Sequence, residues 1–231
     1  VAAGAPSHPY RLIVFDFDGT LVDSQAGIVH CMAAGFAAVG LPAPEAGAVR
    51  RVVGLSLELA IARLLPDAAG DAVAPAAAAY REAFLAWRAD PAFHEPLFEG
   101  VAETLERLDR PEVLLGIATG KNLRGLSASL ERHGLRHRFT TLQTPDHSPS
   151  KPHPGMLQRA MNEVGCYPDE TVLIGDTTFD IEMAQNAGTV SLGVSWGYHD
   201  PEELRAAGAR GVLAEMAELP ERLATLAGEL S

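Results

Sequence analysis

The sequence predicts an α/β protein: a parallel sheet covered by helices on both faces, with an all-helical stretch inserted after the first strand. Three features predict it. From Gly100 onward, short apolar runs alternate with helical segments of about ten residues, the rhythm of strand–helix crossovers. Between Leu21 and Phe98 nothing reads as a strand, so this alanine-rich stretch is expected to pack as a small helical unit of its own. Each polar cluster also falls just past a predicted strand: Asp16 and Asp18, then Thr119, Lys151 and Asp176. Ligands of open parallel sheets bind beyond the carboxyl ends of the strands.

The first strand is the apolar run 12–15. If the extended form continues to Asp18, period two points both carboxylates to one side, and Gly19 and Thr20 then turn the chain. Two like charges held that close raise each other's pKa or demand a cation. The plain alternative is an Asp-Gly turn with a spare acidic neighbour. A helix over 25–39 follows from Ile28, Cys31, Met32, Gly35, Phe36 and Val39 at helical spacing, stopped by Gly40 and Pro42. A second runs over 57–65, entered near Ser56 and ended at Pro66. A third covers 76–88, with Tyr80, Phe84 and Trp87 as a core-facing stripe.

After Gly100 the elements come in order. Val101, Thr104, Leu105 and Leu108 mark a helix, and 112–118 a buried strand that ends at Thr119-Gly120-Lys121. Asn122 caps a helix through Leu130 that closes at Gly134. A short strand over 139–142 leads into a loop of turn formers over 144–155. Then follow a helix over 156–164, a strand over 171–174 entering Gly175-Asp176, a helix near 181–186 and a strand over 190–194. The chain ends as helix, short strand and helix over 201–207, 212–213 and 219–226.

Composition bounds the function. The 231 residues hold one substantial core, or one core and a satellite domain, and 47% apolar content excludes a disordered polyelectrolyte. A formal charge of -12 argues against a general nucleic-acid surface, which needs Lys and Arg. It leaves room for a small phosphorylated substrate. Cys31 and Cys166 lack CxxC spacing and read as reduced thiols. No apolar stretch reaches the ~18 residues of a membrane helix. Residues 1–9 read as a loose tail without signal-peptide character, and cytoplasmic residence is the expectation.

Four motifs stand in order: Asp16-Phe17-Asp18-Gly19-Thr20, Thr119 after its strand, Lys151 with Pro152, and Gly175-Asp176-Thr177-Thr178-Phe179-Asp180. In them the chain resembles the haloacid dehalogenase superfamily, and within it the phosphoglycolate phosphatase-like branch (subfamily IA). The resemblance implies a Rossmann-like three-layer core formed by 10–22 and 98–231, with the helical insert 23–97 as a cap domain. Asp16 resembles the nucleophile that forms an aspartyl phosphate, and Asp18 the general acid and base. The dehalogenating relatives lack an aspartate at the position of Asp18, which moves the reading to phosphoryl transfer. Anions around an anionic substrate call for Mg²⁺, held by Asp16, the main-chain carbonyl of Asp18, and Asp176. Asp180 is expected at the ion through water or as a supporting contact; a helix N-terminal charge is its other reading.

Thr119 and Gly120 would meet a phosphoryl oxygen, and Lys151 would balance Asp16 and the transition state. Lys121 reads equally as a helix-start charge. In the cap, Arg50 or Arg51 would hold a second anionic group such as the carboxylate of phosphoglycolate, or else pair on the surface with Glu45 or Glu58. Gln25 would mark the cap hinge, and Trp196-Gly197-Tyr198 would pack near the site. His147 and His153 carry no metal-ligand spacing. The expected protein is a Mg²⁺-dependent phosphatase of a small phosphorylated metabolite, phosphoglycolate first, as monomer or homodimer. Alternatives with the same core motifs are a phosphosugar mutase, a sugar phosphatase or a pyrophosphatase; outside enzymes, a phosphometabolite-binding protein.

Overall fold

The computed structural model describes residues 9–65 and 70–229; the tail expected before Pro9 and the helix stop expected at Pro66 lie outside them. The strands are β1 (Leu12–Phe15), β2 (Leu114–Ala118), β3 (Phe139–Gln143), β4 (Thr171–Gly175), β5 (Val190–Val194) and β6 (Val212–Leu213). They form one sheet in the order β3-β2-β1-β4-β5-β6, parallel throughout. Strand β1 is therefore central, and its four apolar residues are buried because both faces of the sheet are covered. Chain order reverses between β1 and β4, so a crevice opens there at the carboxyl ends.

Four helices follow β1: α1 (Gln25–Ala38), α2 (Ala46–Arg50), α3 (Leu57–Leu64) and α4 (Val73–Ala89). They bury an apolar cluster of their own around Ile28, Met32, Phe36, Val49, Ile61 and Ala76. Helices α1 and α4 approach closely: a Cβ at Gly35 would meet the main-chain oxygen of Ala76 at 2.8 Å. The chain leaves and re-enters the sheet side by side, where Val22 bridges Leu97 and the Asp23 N–H donates to Pro96 O at 2.9 Å. Helix α2 has no counterpart in the sequence pattern, because five residues are too short to display a period.

The remaining helices are α5 (Val101–Leu108), α6 (Leu123–Arg132), α7 (Gly155–Val164), α8 (Thr178–Ala187), α9 (Pro201–Ala206) and α10 (Leu219–Glu229). Alternate residues of β1 face opposite layers. Ile13 and Phe15 pack with α5, α6 and α10, whereas Leu12 and Val14 pack with α7 and α8. The expected α/β architecture with helices on both faces is thus present. Strand β1 ends at Phe15, and the Asp16 N–H still donates to Ile174 O of β4 at 2.8 Å. Gly19, at φ 91, turns the chain at once, and Asp18 pairs with Val22 across that turn. Cys31 and Cys166 are buried and free, in α1 and after α7.

Candidate active site

The crevice between β1 and β4 is flanked by Asp16 and Asp176, each directly after its strand. Asp16 Oδ1 accepts from the Phe17 N–H at 2.7 Å and lies 2.9 Å from Lys151 Nζ. Its Oδ2 is buried with no hydrogen-bond partner among the described residues. Asp176 accepts from the Thr20 hydroxyl at 2.8 Å and from the Tyr198 N–H at 2.9 Å. Asp180 takes three donors: Lys151 Nζ at 2.6 Å, and the N–H and hydroxyl of Thr177 at 3.1 and 2.7 Å. The Thr177 N–H contact is one arm of the capping box that starts α8, its other arm being the Asp180 N–H to the Thr177 side chain, so the helix start and the lysine anchor are one device.

Three fully buried carboxylates thus lie close together with one ammonium, which pairs with Asp16 and Asp180, leaving an excess of negative charge. Burial pushes Asp16 up to about 7 against the pull of Lys151. Burial, then the charges of Asp16 and Asp180, push Asp176 well above the usual carboxylate range. For Lys151, burial acts to lower the pKa, but Asp16 and Asp180 outweigh it and raise it. One carboxylate oxygen from each of Asp16, Asp176 and Asp180 lies within 4.8 Å of the others, a spacing that suits a hard divalent cation. The unpartnered Oδ2 of Asp16 is an acceptor free for such an ion.

A second ionic cluster lies beside the first. Lys121 Nζ donates to Asp18 Oδ1 and Oδ2 at 2.9 and 3.3 Å and to Glu95 Oε1 at 3.3 Å. The other Glu95 oxygen accepts from the Ser129 hydroxyl. The ammonium also sits 5.6 Å from the Phe17 ring centroid and 5.1 Å from that of Phe84. Burial works to lower the Lys121 pKa, and the charges of Asp18 and Glu95 reverse it. Lys121, whose place in the sequence reads equally as a helix-start charge, is engaged here by two acids, Asp18 and Glu95. Glu95 went unrecognised, since a lone acid in a linker carries no spacing signal.

Thr119 follows β2 and is held through its N–H by Gln143 O at 3.1 Å; its hydroxyl accepts from the Lys121 N–H at 3.2 Å. Gly120 is where the helical insert meets the sheet: a Cβ there would collide with the main-chain oxygens of Gly54 and Leu55. Gly120→Ala is therefore expected to lower kcat/KM by about two orders of magnitude, because a shift of ~1 Å at a reacting centre costs that much. Its circular dichroism should stay unchanged, as no positive φ is required there. Parental kcat/KM in this variant would refute the close seating.

A cavity of about 190 Å³ runs from Asp16, Asp18, Thr119 and Gly120 into the helical insert. Arg50 and Arg51 do not line it. Arg51 turns outward to Glu203 of α9, at 2.7 and 2.8 Å. With the Gln25 amide oriented to accept, Arg50 Nη2 and Nε lie 3.0 and 3.2 Å from its oxygen. Glu58, an expected partner, pairs instead with Arg81. The loop Trp196-Gly197-Tyr198 packs against the site: Trp196 Nε1 donates to Thr20 O at 3.2 Å, and Gly197 leaves no room for a Cβ beside Asp176. His153 Nδ1 accepts from the Gly155 N–H at 3.0 Å, a turn contact.

Comparison with known proteins gives a consistent family. Residues 13–194 match the model of the haloacid dehalogenase-like hydrolases. The N-acetylmuramic acid 6-phosphate phosphatase of Pseudomonas putida is 34% identical, over 84% of this chain and 86% of that protein. A phosphoglycolate phosphatase of Vibrio parahaemolyticus is 31% identical, over 94% and 97%. A solved haloacid dehalogenase-like family protein of Streptococcus pneumoniae superposes with a TM-score of 0.79 at 27% identity, covering 93% of this chain and 98% of that one.

Proposed function

The chain belongs to the haloacid dehalogenase-like hydrolases, in their phosphatase branch, and we propose that it hydrolyses a small phosphomonoester through a phosphoryl group carried on Asp16. The observation that carries this reading is the asymmetry of the Asp16 carboxylate. Its Oδ1 is pinned by Phe17 and Lys151, and its Oδ2 is buried and free of donors among the described residues. A carboxylate is a weak nucleophile, so fixed in-line placement is what it needs.

In this mechanism Asp16 Oδ2 attacks phosphorus while Asp18 gives a proton to the departing alkoxide oxygen. Asp18 then takes a proton from the water that attacks phosphorus and breaks its bond to Asp16, returning both residues to their starting state. The Thr119 hydroxyl and Gly120 N–H hold a phosphoryl oxygen, and Lys151 balances the charge that spreads over the group. Lys121, tied to Glu95, fixes the Asp18 carboxylate beside the cavity. Asp16, Asp176 and the main-chain carbonyl of Asp18 would hold Mg²⁺; Asp180, with its three donors, supports Lys151. When bound, the ion neutralises charge shared by carboxylates and phosphate and acts as a Lewis acid.

We take 23–97 as a cap over a core formed by 10–22 and 98–231, its Gly54–Leu55 segment seated on Gly120 to exclude bulk water. Two free buried thiols agree with a cytoplasmic setting. Phosphoglycolate is the first ester to assay, on the resemblance. The expected result is phosphate release that EDTA abolishes and added Mg²⁺ restores; hydrolysis indifferent to both would overturn the proposal.

A further inference from the structure

We infer that the leaving group of the substrate is an apolar body, an alkyl or aryl alcohol, rather than a short anionic one such as glycolate. The inference rests on the phosphatase reading above and concerns what that site accepts. The cavity that contains Asp16 and Asp18 continues between walls from α1 and α4: Ile28 and Met32 on one, Tyr80, Phe84 and Leu85 on the other, with Val53 between. Leu85 is 48% exposed, one of only two large exposed hydrophobic side chains among the described residues. Together with the buried and half-buried side chains beside it, Leu85 makes this a continuous apolar lining, which suits an apolar occupant.

The cations of the cavity give the same answer. Lys121 is committed to Asp18 and Glu95, and Arg81 to Glu58. Arg88 and Arg124 also line it, without an ion-pair partner among the described residues, but one is half-buried and the other exposed. Arg50 and Arg51 lie outside. A carboxylate drawn in beside Asp16 and Asp18 would meet their like charge and apolar walls, with only the solvent-screened Arg88 and Arg124 to offset them, an arrangement that disfavours an anion. An alkyl or aryl group in the same place gains roughly fourfold in affinity per buried methylene.

The test is kcat/KM with Mg²⁺ for phosphoglycolate, glycerol 1-phosphate, hexyl phosphate and benzyl phosphate, all esters of aliphatic alcohols, so the chemistry is matched. Hexyl and benzyl phosphate should exceed phosphoglycolate at least tenfold, and Leu85→Asp or Phe84→Ser should shrink that ratio several-fold. Leu85 is exposed enough for its substitution to leave the fold intact. Phosphoglycolate turned over as well as the apolar esters, or a ratio that neither variant moves, overturns this inference and leaves the phosphatase reading standing. No Mg²⁺-dependent hydrolysis of any of the four overturns both.

Discussion

Asp16→Asn is expected to lose phosphate release from every phosphomonoester by about four to six orders of magnitude, the scale on which removal of a covalent nucleophile acts. The substitution preserves the shape of the side chain and one carbonyl oxygen to accept from the Phe17 N–H. What it removes is the charge and nucleophilicity of the free oxygen. Stability should not fall with activity. Burial already disfavours the Asp16 charge, and Asp176 and Asp180 disfavour it further, while Lys151 keeps Asp180 as a partner. Thermal melting in EDTA should therefore place the variant at or above the parent. Activity within tenfold of the parent would defeat the nucleophile assignment, whatever the melting temperature.

Lys151→Met, by contrast, is expected to cost stability as well as rate. Methionine fills a similar length without charge, leaving Asp16 and Asp180 buried with no cation between them. Removing one partner of a buried ion pair typically costs about 3–5 kcal/mol. Urea unfolding without divalent ions should show a loss of that size. Adding Asp180→Asn should recover part of it, since one of the stranded charges is then gone. A Lys151→Met protein as stable as the parent would mean that the lysine compensates no buried charge.

The sequence exposed what is local. Period and punctuation located the strands and most helices, and the Asn122 cap is present, its side chain accepting from Gly125 N–H at 2.8 Å. The order of polar clusters at strand ends located the rim of the sheet. Contacts between distant segments were less legible. Lys121 and Asp18 are separated by 103 positions, and it is the pairing of β2 beside β1 that brings the ammonium after one strand to the carboxylate after the other. Glu95 joins them because the return linker pairs with the outgoing one at Val22 and Leu97.

The arginines fail for the same reason. Arg50 and Arg51 stand at the end of a short helix whose facing is set by Val49 and Val53 entering the apolar cluster. With those two inside, Arg51 is directed at Glu203. Residue type there was informative about charge and silent about direction.

The most direct measurement is mass spectrometry of protein quenched in acid during turnover of a phosphomonoester with Mg²⁺. A single phosphoryl group, labile to hydroxylamine, should be found on the peptide that carries Asp16, and should be missing when the ion is withheld. A phosphoryl group on any other residue, or turnover with none trapped on Asp16 under conditions that accumulate the intermediate, would contradict the account.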